Sequence, residues 1–318
     1  MWSPLVGINV AVLLRVLCFV PMENTTTSSL PATSLAHISS AILLQKVKYM
    51  NVVSITILVF DYLLALELEV SLVWGSKWSL SRILFACARY PPFIDVPLVL
   101  WYSLTPNINI HDCLPIYSAS SWGTFFGIAM AEAILLLRTH ALMGRKPLVL
   151  ILLGLQYVII AGTTVVVLTL FLKSLKFGPP PLPSVVGCHA VDGSIILVVA
   201  FILVLFNETV LMVCTLWVGI TSFRHSHNLF IKTLYRDGIT YFIFLFVLSA
   251  GNLGVLIWGP VELVDLFNTF LRVMHSVLST RVILHVREAG RKRLTSTIDS
   301  LADPRFRIPG TTIECNLD

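Results

Sequence analysis

Long apolar runs recur along this chain with short polar interruptions between them. Seven runs, at about 48–68, 80–104, 116–138, 148–171, 194–220, 238–258 and 262–284, each approach the ~20 residues a helix needs to cross ~30 Å of hydrocarbon. The connections are short except 173–192, KSLKFGPPPLPSVVGCHAVD, whose prolines forbid a helix and place it outside the hydrocarbon. Ahead of the runs, residues 22–40 turn polar and read as a flexible tail, with one glycosylation sequon at Asn24. The first twenty residues are apolar, carry Arg15 and lack a basic start, so three readings stand. They form a poor signal peptide, a peripheral apolar tail, or an extension upstream of a start at Met22; the reading adopted is a removable or dispensable segment. The expected division is an N-terminal tail over 1–43 with a weak signal segment at 1–21, a seven-helix all-α membrane bundle over 44–286, and a C-terminal tail over 287–318.

The first two runs meet at residues 61–95, DYLLALELEVSLVWGSKWSLSRILFACARYPPFID, around a charged, tryptophan-containing hinge. Asp61, Glu67, Glu69, Arg89 and Asp95 lie in or beside apolar sequence there, and a charge at membrane depth must face protein or trapped water. Pro91-Pro92 is expected to break or kink the second helix near Arg89.

Composition agrees with the pattern. Of 318 residues, 56% are hydrophobic and 12% charged, against about 25% charged in soluble domains. The net charge of +5 bears on topology and lipid contact; no basic patch interleaves with exposed aromatics, so nucleic acid is not an expected partner. Basic residues choose the orientation. Lys77 and Arg82, then Arg138, Arg145 and Lys146, then Arg224, Lys232 and Arg236, then Arg287, Arg291, Lys292 and Arg293 follow the odd-numbered runs. Only Lys46, Lys48, Lys173 and Lys176 lie on the other side, so the N-terminus is expected outside and the C-terminus in the cytosol. The Asn24 sequon agrees, while Asn207-Glu208-Thr209 falls within a run and is out of reach of glycosylation. Of six cysteines, Cys87 and Cys214 lie within runs, Cys315 on the cytosolic side, and Cys18 in the unresolved start. Cys113 and Cys188 alone lie clearly on the outer side, where disulfides persist, and a bridge would pin the proline-rich loop over the bundle. The other reading is two free thiols.

Seven spans, an outer N-terminus and this cysteine pair resemble the layout of a G-protein-coupled receptor. More specifically, FDYLLALELEVSLVWGSKWSLSRILFACARYPPFID resembles the first two helices of a large family of basidiomycete fungal membrane proteins of unknown function, whose pattern runs roughly YDYLLTxxxEVELIWxxKWSLxKxLFLLxRYLPFID. The likeness continues in LLLRTHALMGR, FLKSLKFGP followed by GC, TLYRDG and RVMHSVLSTRVILHVRE, and covers about 44–288. It implies a fold and supplies no ligand or catalytic residue. The chain departs from it in ARYPPF, and from the largest receptor class in having no Asp-Arg-Tyr after the third span and no Asn-Pro-x-x-Tyr in the seventh.

Counting depth at about 1.5 Å per residue puts Asp61 and Arg89 level on adjacent antiparallel spans, and an ion pair is the expectation. Glu132, Asn207, Glu208, Arg272 and His275 form a second group, read either as a ligand anchor or switch or as a static polar network. Arg272 needs an acid, and Glu132, Glu208 or Asp265 are the candidates, with Asn252 and Asn268 nearby. Residues 106–119 and 178–193 would roof any pocket, and Trp101, Tyr102 and Trp258 read as interfacial aromatics. The cytosolic stretches RHSHNLFIKTLYRDG and REAGRKRL are the candidate partner surface, the latter also suited to anionic headgroups and to an amphipathic helix. His225 and His227 have no third ligand near them, and no metal or other cofactor is expected. The absence of a Lys in the seventh run excludes a retinal Schiff base; no HExxH, GxSxG or phosphate loop occurs, and Cys315 sits in a poor prenylation sequence. The chain is therefore expected to be no enzyme but an orphan receptor-like protein of the plasma membrane. It would sense an extracellular or membrane-borne ligand and couple to a heterotrimeric G protein or another cytosolic partner. The alternatives are a small-solute transporter or channel, or a non-signalling membrane protein.

Overall fold

The computed structural model describes residues 32–75, 78–106, 108–178, 187–192, 196–223 and 229–302. The segment 1–21, the Asn24 sequon, Lys77, Arg224, His225, His227, Cys18 and Cys315 lie outside these residues. The chain divides into two compact units, Met1–Ser39 and Ser40–Asp318, and the second carries the features discussed below.

Eight α-helices follow one another: α1 (Ala32–Glu69), α2 (Leu80–Arg89), α3 (Pro92–Leu104), α4 (Ile110–Leu142), α5 (Pro147–Ser174), α6 (Leu197–Val218), α7 (Leu229–Trp258) and α8 (Asn268–Ala302). π-turns extend α1 through Val70–Trp74 and α6 through Gly219–Phe223. Between α5 and α6 a two-stranded antiparallel ribbon pairs β1 (Lys176–Gly178) with β2 (His189–Asp192).

Among the described residues, six helical segments are long and apolar enough to cross a membrane: Ile38–Trp74, Leu80–Leu104, Ile110–Leu142, Pro147–Ser174, Leu197–Thr221 and Ile239–Trp258. The chain is thus an all-α, multi-pass membrane protein. α5 shows the pattern most plainly. Only 11% of its most apolar window is buried, and Ile151, Leu155, Val158 and Ile159 point outward, where lipid is the only medium that tolerates them.

The seventh expected run, 262–284, is absent from that set. It begins with a 3₁₀ turn (Val261–Leu263) and continues as α8, whose Arg272, His275 and Arg281 lower its hydropathy. Every residue from Thr269 to Thr280 is nevertheless buried. α8 packs against α2, α3, α4 and α7, so protein surrounds it and its polar side chains find partners there.

Two further differences have local causes. Helix α1 starts at Ala32, inside the stretch expected to be a flexible tail, because after Pro31 no Gly or Pro interrupts ATSLAHISSAILLQKVK. The basic stretch after residue 286 is no separate helix; α8 continues unbroken to Ala302. There Lys292 bonds Glu288 at 2.7 Å and holds its carboxyl below the usual range. The second expected span breaks at Tyr90-Pro91 into α2 and α3, since the ring of Pro92 leaves no N–H for an unbroken helix.

Three apolar layers are stacked among these helices. Tyr102, Tyr117, Leu168 and Phe171 form the one nearest the ribbon; Leu58, Val96, Val273 and Val277 the middle one; Ala65, Val73, Phe85 and Leu284 the far one.

Candidate functional site

At the ribbon end, Cys113 at the start of α4 is bonded to Cys188 just before β2, with Cα atoms 5.7 Å apart. The Cys188 N–H donates to the Tyr102 carbonyl at 2.9 Å. Gly187, at φ +92°, lies so close that a Cβ would come within 2.8 Å of the Tyr102 carbonyl oxygen, so the loop passes there only as glycine. Beneath it lies a cavity of about 360 Å³. Tyr102, Tyr117, Phe171 and Phe177 supply aromatic wall; Lys48, Asn51, Glu262 and Asp265 supply polar groups. The Tyr117 hydroxyl donates to Asp265 at 3.2 Å, and Asn51 Oδ1 is buried without a hydrogen-bond partner among the described residues. Glu262 accepts from Ser40 at 2.6 Å.

Replacing Cys113 and Cys188 by Ser opens a ring with a sequence separation of 75. The chain-entropy relation for such a loop puts the loss at ~4.5 kcal/mol. Non-reducing peptide mapping should recover the linked peptides, whereas free alkylation of both thiols in native protein would refute the bridge.

Below the cavity, buried polar side chains follow α8 toward the opposite end in three clusters. The first is Arg272, wholly buried, with Nε 3.0 Å and Nη2 2.9 Å from Asp95 Oδ2 on α3. This corrects the expectation that Arg272 pairs with Glu132, Glu208 or Asp265. The helix break at Pro91-Pro92 restarts the chain as α3 with Asp95 turned inward, 3% exposed. Two glycines of α4 make the room. A Cβ on Gly127 would overlap the Arg272 guanidinium, and one on Gly123 would lie 2.7 Å from Asp95 Cβ.

The second cluster holds the rest of the expected group. His275 lies between two carboxylates, Nδ1 3.6 Å from Glu132 Oε1 and Nε2 3.1 Å from Glu208 Oε1. The Asn207 amide donates to Glu132 Oε2 at 2.7 Å, Gln156 donates to Asn207 at 3.2 Å, and the Ser249 hydroxyl donates to Glu208 Oε1 at 2.8 Å. Asn252 is buried close in sequence to Ser249; Asn268 opens α8 and lines a smaller cavity of about 70 Å³.

The third cluster closes the far end. Arg89 Nη1 lies 2.5 Å from Asp61 Oδ2, and its Nε donates to Glu69 at 3.4 Å. Arg281 of α8 bonds the other Asp61 oxygen, and the Tyr90 hydroxyl and Trp74 indole donate to Glu69. Two acids and two arginines make the cluster neutral; Arg89 ties α2 to α1 through it, and Arg281 ties α8 to α1. Arg287 extends the tie by donating to the Leu72 carbonyl in the π-turn at 2.9 Å. Arg281 and Gly127 carried no signal as site residues on their own. A base nine positions beyond Arg272 on the same run, about 13.5 Å along a helix, was the available hint for Arg281.

Residues 49–94 match a family of unknown function, DUF6533. The matched stretch contains Asp61, Glu69, Trp74, Arg89 and Tyr90, so it holds the whole third cluster apart from Arg281. No curated protein and no solved structure matches the chain.

Proposed function

We propose that the protein is a receptor-like, non-enzymatic signalling protein of the plasma membrane, with its ribbon end outside and α8 crossing as a seventh span. It binds a small amphipathic ligand from outside or from the outer leaflet and passes the signal to a heterotrimeric G protein or another cytosolic partner.

The observation that carries this reading is the course of α8. The helix leaves the floor of the disulfide-roofed cavity beside Asp265 and runs past Arg272, His275 and Arg281, each held to other helices by buried acids. Aromatic walls with a few convergent polar groups are what a small-molecule pocket needs. A helix pinned by ion pairs has discrete arrangements, so a ligand that favours one arrangement shifts the population at the far end. The basic residues near that end then face the cytosol, in keeping with the positive-inside rule.

The test is nucleotide exchange on purified Gα subunits by the full chain in lipid vesicles, with Asp61→Asn carried beside the wild type. Exchange above that of empty vesicles, altered by the substitution, is the expected result. Absence of both binding and stimulated exchange across the Gα classes, with solute flux through the same vesicles, would replace the receptor reading with a transporter.

A further inference from the structure

We propose that Glu132, Glu208 and His275 form a binding site for a divalent transition-metal ion of the zinc class. The site stands independently of the receptor-like reading and runs against the sequence expectation of no metal.

Three helices supply the ligands: α4 gives Glu132, α6 gives Glu208 and α8 gives His275. One carboxylate oxygen from each acid and one imidazole nitrogen lie within 4.8 Å of one another, all three residues being buried. A tetrahedral zinc ion with bonds of about 2.0–2.2 Å spaces its ligands at roughly 3.4 Å. The 3.1 Å between His275 Nε2 and Glu208 Oε1 is already close to that spacing, and a Glu132 carboxylate oxygen lies within 4.8 Å of the pair. Mixed imidazole and carboxylate donors suit zinc and its neighbours rather than magnesium or calcium, which take oxygen alone.

Satisfaction of the individual atoms points the same way. Among the described residues, Glu132 Oε1 and Glu208 Oε2 are buried without a hydrogen-bond donor, and the ring nitrogens of His275 face only the two carboxylates. The remaining two carboxylate oxygens are held by neutral donors, Asn207 on Glu132 and Ser249 on Glu208. Donors of this kind orient metal-ligating carboxylates without neutralising them.

Charge is the second argument. Among the described residues, the only ion pairs of Glu132 and Glu208 are with His275, because Arg272, one turn away, is committed to Asp95. Two ionised carboxylates and a neutral imidazole carry −2 in a buried site, where unpaired charge is costly. Protonation of His275 leaves −1, and a divalent cation brings the sum to zero.

Space lies beside the cluster. A cavity of about 40 Å³ is lined by Glu132, Asn207 and Tyr157, more than the ~10–15 Å³ a water needs. It shares Ile128 and Thr164 with the 70 Å³ cavity above it, which in turn shares Tyr117 and Phe171 with the large cavity at the ribbon end. Separate spaces that share wall residues thus follow one another from the disulfide end toward Glu132.

The experiment uses the full chain, purified in detergent, stripped with chelator and titrated with Zn²⁺. Elemental analysis after desalting should find about one equivalent per chain, and the melting temperature should climb with Zn²⁺ concentration. Co²⁺ in its place should give the visible absorption of a tetrahedral site. Glu132→Gln, Glu208→Gln and His275→Gln should each weaken binding by ~100-fold or more, and Ser249→Ala by ~10–100-fold. The wild-type chain decides the question even where a variant fails to accumulate. If it retains no stoichiometric metal and melts at one temperature with and without Zn²⁺, Co²⁺ and Mn²⁺, the site is refuted. The cluster is then balanced by protons, with the imidazolium bridging the two acids.

Discussion

Arg272→Ala lowers the stability of the folded bundle by about 3–5 kcal/mol, the range for removing one partner of a buried ion pair. The guanidinium is wholly buried, and its loss leaves Asp95, 3% exposed, with no base beside it. Asp95→Asn has a comparable effect for the mirror reason. The double substitution recovers much of the loss, because the unpaired charge disappears with its partner. Melting temperature in detergent and yield of surface-exposed protein in cells read all three. A single Arg272→Ala protein with unaltered melting and trafficking would show that Asp95 is not what holds the guanidinium. The same series distinguishes Asp95 from the acids nearest by simple depth counting. Pairing Arg272→Ala with Glu132→Gln or Glu208→Gln should restore nothing, since those acids belong to His275.

Gly127→Ala is destabilising by about 3 kcal/mol, at the upper end of the ~1–3 kcal/mol typical of overpacking. The new methyl would occupy the place of the Arg272 guanidinium, so the guanidinium must leave Asp95 to make room. Gly162, in α5, is the control. A Cβ there meets nothing within 4 Å, and the exchange for alanine removes backbone freedom from a helix interior. Gly162→Ala should therefore stabilise by up to ~1 kcal/mol, opposite in sign. Equal effects at the two positions would mean that helix propensity, and not the space kept for Arg272, governs Gly127. Combining Gly127→Ala with Arg272→Ala should cost little more than Arg272→Ala alone, because the clash has no second party.

Both substitutions act on the Arg272–Asp95 cluster and leave the other two intact. The far cluster joins Asp61, Glu69, Arg89 and Arg281 in a neutral set, and the middle layer of Leu58, Val96, Val273 and Val277 isolates it from the ribbon end. Arg272 and Asp95 lie where α3, α4 and α8 meet, and their removal loosens the contact on which any transmitted movement of α8 depends.

Much of the architecture was legible in the chain itself. Transfer of apolar side chains into lipid is a per-residue quantity, so a run of about twenty such residues announces a span without knowledge of its neighbours. Six spans followed from that, as did the break at Pro91-Pro92, which is a covalent property of the proline ring. The non-helical course of Lys176–Gly178 and His189–Asp192 and the placing of Cys113 and Cys188 on one side rest on the same local rules. Depth also came from counting, which set Asp61 level with Arg89, and the two are 2.5 Å apart.

Tertiary structure alone decided which way each helix turns about its axis. A helix rotates each successive side chain by about 100°, so depth names the acids within reach of Arg272 but not the one that faces it. Asp95 won because the proline break resets the rotation of α3 and because Gly123 and Gly127 on a third helix keep the space between them clear. Three-body conditions of this kind leave no trace in any window of sequence. α8 shows the same limit from the other side. Its apolar positions mark it as a run beside the other six, but only the partner acids on other helices, which meet Arg272, His275 and Arg281, show that it lies in the interior and not against lipid.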